Sequence, residues 1–135
     1  MASTTFSGPV TSTNGFIGAV TGNITGNITG NVTGDLTGRV FGTVATRSGA
    51  GAVPITSGTV RLTTTGADAL TLANGANGQI LSIVMVADGG DGTLTPTTKT
   101  GFATLTFADV GDAVTLQYFT TLGWMIISNN GVGVA

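Results

Sequence analysis

The sequence predicts an all-β fold in two parts: an N-terminal intertwined trimeric β-stalk of four-residue repeats, followed by a small C-terminal β-sandwich or barrel. Three observations carry this expectation. From Phe16 to Arg47 the chain reads in fours, with an apolar residue opening each of eight units and glycine two places later in the first seven. From Thr59 onward, short runs of β-branched, aliphatic and aromatic residues alternate with Gly-, Asn- and Asp-containing turns. Only 7% of residues are charged, against ~25% in typical soluble domains. So little charge at this glycine content favours a rigid, oligomerised surface over a freely soluble monomer.

Residues 1–15 are polar, with Gly8-Pro9 and Asn14-Gly15 as turn signals. They read either as a frayed terminus or as a docking arm that orders against a partner, a use suited to a polar segment with few apolar groups. In the second reading Phe6 and Val10 are the docking contacts. Met1-Ala2-Ser3-Thr4 lacks the basic region and apolar core of a secretory leader. The densest apolar run, Ile80 to Ala87, is far short of the ~18–20 residues that span a bilayer. The expectation is a product made in the cytosol, with no membrane partner.

Residues 16–47 form the predicted stalk, typified by Val20-Thr21-Gly22-Asn23, Ile24-Thr25-Gly26-Asn27 and Ile28-Thr29-Gly30-Asn31. A spacing of four drifts off one face of a 3.6-residue helix, and glycine in each turn costs ~1 kcal/mol relative to Ala. Collagen needs glycine at every third place. In an extended chain alternate residues share a face, so the apolar residue and the glycine point one way and Thr and Asn the other. Full burial of each apolar side chain returns ~1.5–3 kcal/mol, whereas ordering each residue costs about 1–2 kcal/mol of backbone entropy. One chain alone falls short. Three copies wound about a common axis would bury the ladder, with Phe16, Val20, Ile24, Ile28, Val32, Leu36, Val40 and Val44 on the trimer axis. The glycines then allow close backbone approach. A strand rise of ~3.3 Å per residue limits such a stalk to roughly 100 Å.

Arg47-Ser48-Gly49-Ala50-Gly51-Ala52-Val53-Pro54 breaks the period, and residues 48–58 read as a linker. Residues 59–135 form the expected β-domain, near the lower size limit for an independent core. Strands are predicted at Thr59–Thr63, Ala69–Leu72, Gln79–Val86, Thr93–Thr95, Ala103–Phe107, Ala113–Phe119 and Trp124–Ser128. The third of these is apolar on both faces and is therefore expected to be central. In Ala113–Phe119, Val114, Leu116 and Tyr118 alternate with Thr115 and Gln117, which predicts one wet face. Trp124, Ile126, Phe107, Leu105 and Ile83 are the expected core. The tail from Gly131 to Ala135 would close the trimer axis or fray.

Catalytic chemistry finds little to work with. The chain has no His, Cys or Glu, which removes most groups used for acid–base work. No Gly-x-Ser-x-Gly or phosphate-binding Gly-x-x-x-x-Gly-Lys-Ser/Thr motif is present. Asp88 with Asp91, and Asp109 with Asp112, flank glycines, and loop carboxylates can bind calcium. Neither loop matches an EF-hand, and aspartate serving a turn explains both. The Asn-x-Thr matches at Asn23, Asn27 and Asn31 are by-products of the repeat. With a net charge of −2 and no basic cluster, nothing marks a nucleic-acid footprint. The expectation is a non-enzyme with no catalytic residue, cofactor or metal.

The run from Thr5 to Phe16 with the Val/Ile-Thr-Gly-Asn repeats behind it resembles the start of virion proteins of tailed bacteriophages, those of marine and cyanobacterial phages in particular. Ala69-Leu70-Thr71-Leu72-Ala73-Asn74-Gly75, Asp88-Gly89-Gly90-Asp91-Gly92-Thr93-Leu94-Thr95-Pro96, Val110-Gly111-Asp112-Ala113-Val114-Thr115-Leu116 and Gly123-Trp124 resemble the same group. The resemblance implies a homotrimeric capsid decoration (cement) protein or head fibre on the capsid surface, assembled in the host cytoplasm, with the major capsid protein of the same virion as partner. Two other readings stay open. One is a short tail or head fibre that binds a host-surface glycan or receptor. The other is an ice- or surface-binding β protein using the Thr21, Thr25, Thr29, Thr33, Thr37 row.

Overall fold

In the computed structural model, which describes Asp35 and residues 37–135, strands follow one another and no helix occurs among the described residues. The chain divides into two units between Thr37 and Gly38. Of the first, only Asp35 and Thr37 are described, and both are exposed. The expected docking arm with Phe6 and Val10, and the axis positions Phe16, Val20, Ile24, Ile28, Val32 and Leu36, lie outside the described residues.

The second unit holds β1 (Val44–Ser48), β2 (Gly51–Ala52), β3 (Thr59–Thr63), β4 (Asp68–Leu72), β5 (Ile80–Ala87), β6 (Gly92–Pro96), β7 (Leu105–Phe107), β8 (Ala113–Phe119), β9 (Gly123–Asn130) and β10 (Gly133–Val134). They form two mixed five-stranded sheets, ordered β1-β3-β5-β8-β9 and β10-β7-β6-β4-β2. The first six strands wind as three coils. Each coil runs through one strand of the first sheet, turns a corner, and continues in the second. Hence β1, β3 and β5 pair in parallel, and so do β2, β4 and β6. Parallel neighbours need a long crossover, and here the opposite sheet supplies it. After β6 the chain reverses: β7, β8, β9 and β10 all pair antiparallel.

The corners stack as the strands do. The β5–β6 corner lies on the β3–β4 corner, with Thr64 N donating to Ala87 O at 3.1 Å and Asp68 N to Asp91 O at 2.8 Å. Glycine is required here for space: a Cβ on Gly89 would stand 2.6 Å from Thr64 O, and one on Gly90 2.8 Å from the Gly66 carbonyl carbon. Between the sheets, alternate side chains converge on one core. Val60, Leu62, Leu81, Ile83, Met85, Val114, Leu116 and Trp124 come from the first sheet, and Leu70, Leu72, Leu94, Leu105 and Phe107 from the second.

The strands at Thr59–Thr63 and Ala113–Phe119 stand where the sequence puts them, and the others agree within about two residues at each end. The strand apolar on both faces, now β5, is the middle strand of its sheet. Trp124, Phe107, Leu105 and Ile83 are fully buried, while Ile126 is only partly buried, beside a bulge where β8 and β9 shift register.

Two expectations are corrected. The predicted linker, 48–58, contains the end of β1, all of β2 and the buried Val53. The domain thus begins inside the predicted stalk, with Val44 in register with Thr59. The glycines that read as a flexible connection build a corner: Gly49 and Gly51 have φ of 66° and 118°, values that suit glycine, and Gly49 N donates to Thr63 O at 2.9 Å. Of the two uses expected for the tail, fraying is the one the structure overturns. Val132 is buried, and Gly133–Val134 pairs antiparallel with β7.

Candidate functional site

The two sheets turn one face each to the core and one outward, and the outward faces differ in chemistry. On the sheet β1-β3-β5-β8-β9 the outward row Val44–Thr59–Ser82–Thr115–Ser128 is fixed by successive registers. Around it stand Ile80, Val84 and Val86 on β5, Phe119 on β8 and Met125 on β9, together with the polar Thr46 and Ser48 on β1, Arg61 and Thr63 on β3 and Gln117 on β8. Val44 is 60% exposed and Ile80 56%, and Ile127, the extra residue of the β9 bulge, is 57% exposed. Arg61 is the one charged side chain among these outward positions. At the centre, Ser82 Oγ and Thr115 Oγ1 share a hydrogen bond of 3.0 Å.

The outward face of the second sheet carries threonine and alanine. Ala69, Thr93 and Thr106 form one row, and Ala52, Thr71 and Thr95 the next. This face presents short hydroxylated side chains and no large aliphatic group; Val134, in register with the buried Leu105, lies on the opposite side of the sheet.

Two predicted axis residues fall within the described chain. Val40 is 73% exposed ahead of β1, next to the exposed Phe41, and Val44 opens β1 itself. Val44 therefore presents the last apolar position of the four-residue ladder on this outward face, beside Thr59. Sequence reasoning missed this face, although its signal was present: the outward-facing Val84 and Val86 are half the reason β5 reads as apolar on both sides.

Three of the aspartates, Asp68, Asp88 and Asp112, are occupied by their turns. Asp68 Oδ2 accepts from Thr65 N at 2.8 Å, and Asp88 Oδ1 from Gly90 N at 2.7 Å. Asp112, buried, accepts from Ala108 N and Asp109 N through Oδ2. Asp91 and Asp109 are exposed. The described residues contain no group of three His, Cys, Asp or Glu side chains placed to hold a metal, and no pocket opens among them. Lys99 Nζ donates to Pro96 O at 3.0 Å.

Trp124 is a packing residue. It is fully buried, its Nε1 donates to Ala73 O at 2.8 Å, and the Tyr118 ring meets it edge-on at 5.3 Å and 67°. An indole so enclosed has no face left for a sugar to stack upon. What the arrangement offers chemically is surface: one mixed face, with exposed Val44, Ile80 and Ile127 among hydroxyls and Arg61, and one face of threonine and alanine. No protein-family model matches the chain, and no curated protein matches it.

Proposed function

We propose that the chain is a non-catalytic assembly protein: a homotrimeric capsid decoration protein of a tailed bacteriophage, of cement or head-fibre type. The observation that carries this reading is the apolar ladder from Phe16 to Val44, which one chain cannot bury and which runs directly into β1 of an all-β domain. The resemblance of both halves of the sequence to virion proteins directs the reading toward a phage head. The role is mechanical, adding contact area across capsid subunit boundaries and so opposing internal pressure. In this reading Phe6 and Val10 dock on the major capsid protein and the β-domain projects.

The test is quantitative mass spectrometry of purified virions from the encoding phage. A copy number of the same order as the major capsid protein supports decoration. A copy number far below it makes the chain a fibre, and absence from the particle overturns the reading. Deleting residues 2–15 should then abolish binding of the trimer to undecorated capsids, and undiminished binding would reverse the orientation.

A further inference from the structure

We infer that Asn74 is a site of spontaneous covalent modification: the backbone nitrogen of Gly75 attacks its side-chain amide, and the β-domain deamidates there ahead of its other Asn-Gly steps. The inference stands apart from the homotrimer reading. The described residues contain three such steps, Asn74-Gly75, Asn77-Gly78 and Asn130-Gly131. Glycine lacks a Cβ and leaves the attacking nitrogen open to approach, so sequence alone makes all three reactive. All three asparagines are also exposed. Hydrogen bonding is what separates them.

Attack requires a glycine N–H released from any partner and an asparagine side chain free to turn toward it. At Asn77-Gly78 both groups are held: Gly78 N donates to Tyr118 O at 2.8 Å, and Asn77 Oδ1 accepts from Thr120 N at 3.2 Å. At Asn130-Gly131 the side chain is held, with Asn130 Nδ2 donating to Gly111 O at 3.1 Å, and Asn130 pairs with Ala113 at the end of β9. Asn74 lies outside the strands, and among the described residues neither its side chain nor Gly75 N makes a hydrogen bond. The held steps react only through local opening, which limits their rate. Asn74 needs no such opening.

The reaction balances with water alone. A bond forms between Gly75 N and the side-chain carbonyl carbon of Asn74, the bond from that carbon to the amide nitrogen breaks, and the nitrogen leaves as ammonia with the Gly75 proton. Water then opens the cyclic imide at either carbonyl, giving aspartate or isoaspartate. Isoaspartate carries one extra carbon in the main chain, and here it falls between two fixed points. Ala73 O accepts from Trp124 Nε1 at 2.8 Å. The Gly75 backbone lies so close to the core that a Cβ there would stand 3.0 Å from the side chains of both Trp124 and Tyr118. The added length therefore pulls one of these anchors off the buried indole.

The test ages the full-length protein in mildly alkaline buffer, native and in denaturant, and maps aspartate and isoaspartate by peptide mass spectrometry. In denaturant the three steps should react at comparable rates. In the native protein Asn74 should react roughly tenfold or more faster than Asn77 and Asn130, the scale set by the hydrogen bonds that the other two must break. Equal native rates, or either of the others ahead, would overturn the assignment. Fluorescence of Trp124, the only tryptophan, should drift in step with isoaspartate at position 74. It should hold steady in Asn74→Gln, whose longer side chain closes the ring far more slowly. A drift that persists in Asn74→Gln, or isoaspartate without a drift, would overturn the coupling to the core.

Discussion

The two outward faces of the β-domain share a core, a strand geometry and a near absence of charge, yet they differ at the level of single side chains. One carries Val44, Ile80, Val84, Val86, Phe119 and Met125 among Thr46, Thr59, Arg61, Thr63, Gln117 and a bonded Ser82–Thr115 pair. The other carries Thr71, Thr93, Thr95 and Thr106. Outward β-branched residues suit a strand whether aliphatic or hydroxylated, so secondary structure does not require the difference. Aliphatic groups gain by leaving water and threonine hydroxyls lose a partner. The aliphatic positions of the first face would therefore gain more from being covered than the threonines of the second.

The comparison breaks hardest from beneath. Phe107→Ala empties a fully buried site under both sheets and should cost ~3–5 kcal/mol. A denaturant midpoint shifted far down, with both faces lost together, is the expected result. Next comes the corner stack on which the coils depend. Gly90 has φ of 137° and no room for a side chain against Gly66, so Gly90→Val should cost at least roughly 1–3 kcal/mol from backbone strain alone, seen as a lowered thermal midpoint. Removing the buried Asp112 carboxylate, which accepts from Ala108 N and Asp109 N, should cost about 1–3 kcal/mol in Asp112→Ala. It acts on the antiparallel end, so exchange of the Ala108 and Asp109 amides should accelerate before that of the first coils.

The smallest expected effect is the sharpest discriminator. Val84→Ser on the aliphatic face and Thr93→Ser on the threonine face should each change the stability of a single chain by within ~0.5 kcal/mol or little more. An assembly gains stability with concentration. Val84→Ser should flatten that gain in thermal melts over a concentration series, and Thr93→Ser should leave it as in the unsubstituted chain. Equal slopes would erase the distinction between the faces.

Much of the β-domain was legible because alternation in strands is a strong local signal. Val114, Leu116 and Tyr118 declare an inward face, and β5 declares its central place by being apolar on both. The start of the domain was not legible. Gly49-Ala50-Gly51 carries the composition of a linker, and only the register of β1 with β3 turns it into a corner. That pairing is between residues far apart in sequence and leaves no periodic trace. The coiled topology was hidden for the same reason, since parallel and antiparallel neighbours share one alternation pattern. For the candidate site, Val44 was expected on a trimer axis, and the structure places it exposed on β1 in register with Thr59. Its companions Ile80 and Ile127 come from distant strands and could be joined to it only by the sheet order.

The measurement that tests the central claim most directly is the solution mass of the full-length protein by light scattering coupled to size-exclusion chromatography. The account predicts a single species of three times the 13.3 kDa chain mass, persisting on dilution. A species of one chain mass at every concentration would contradict it and overturn the homotrimer reading.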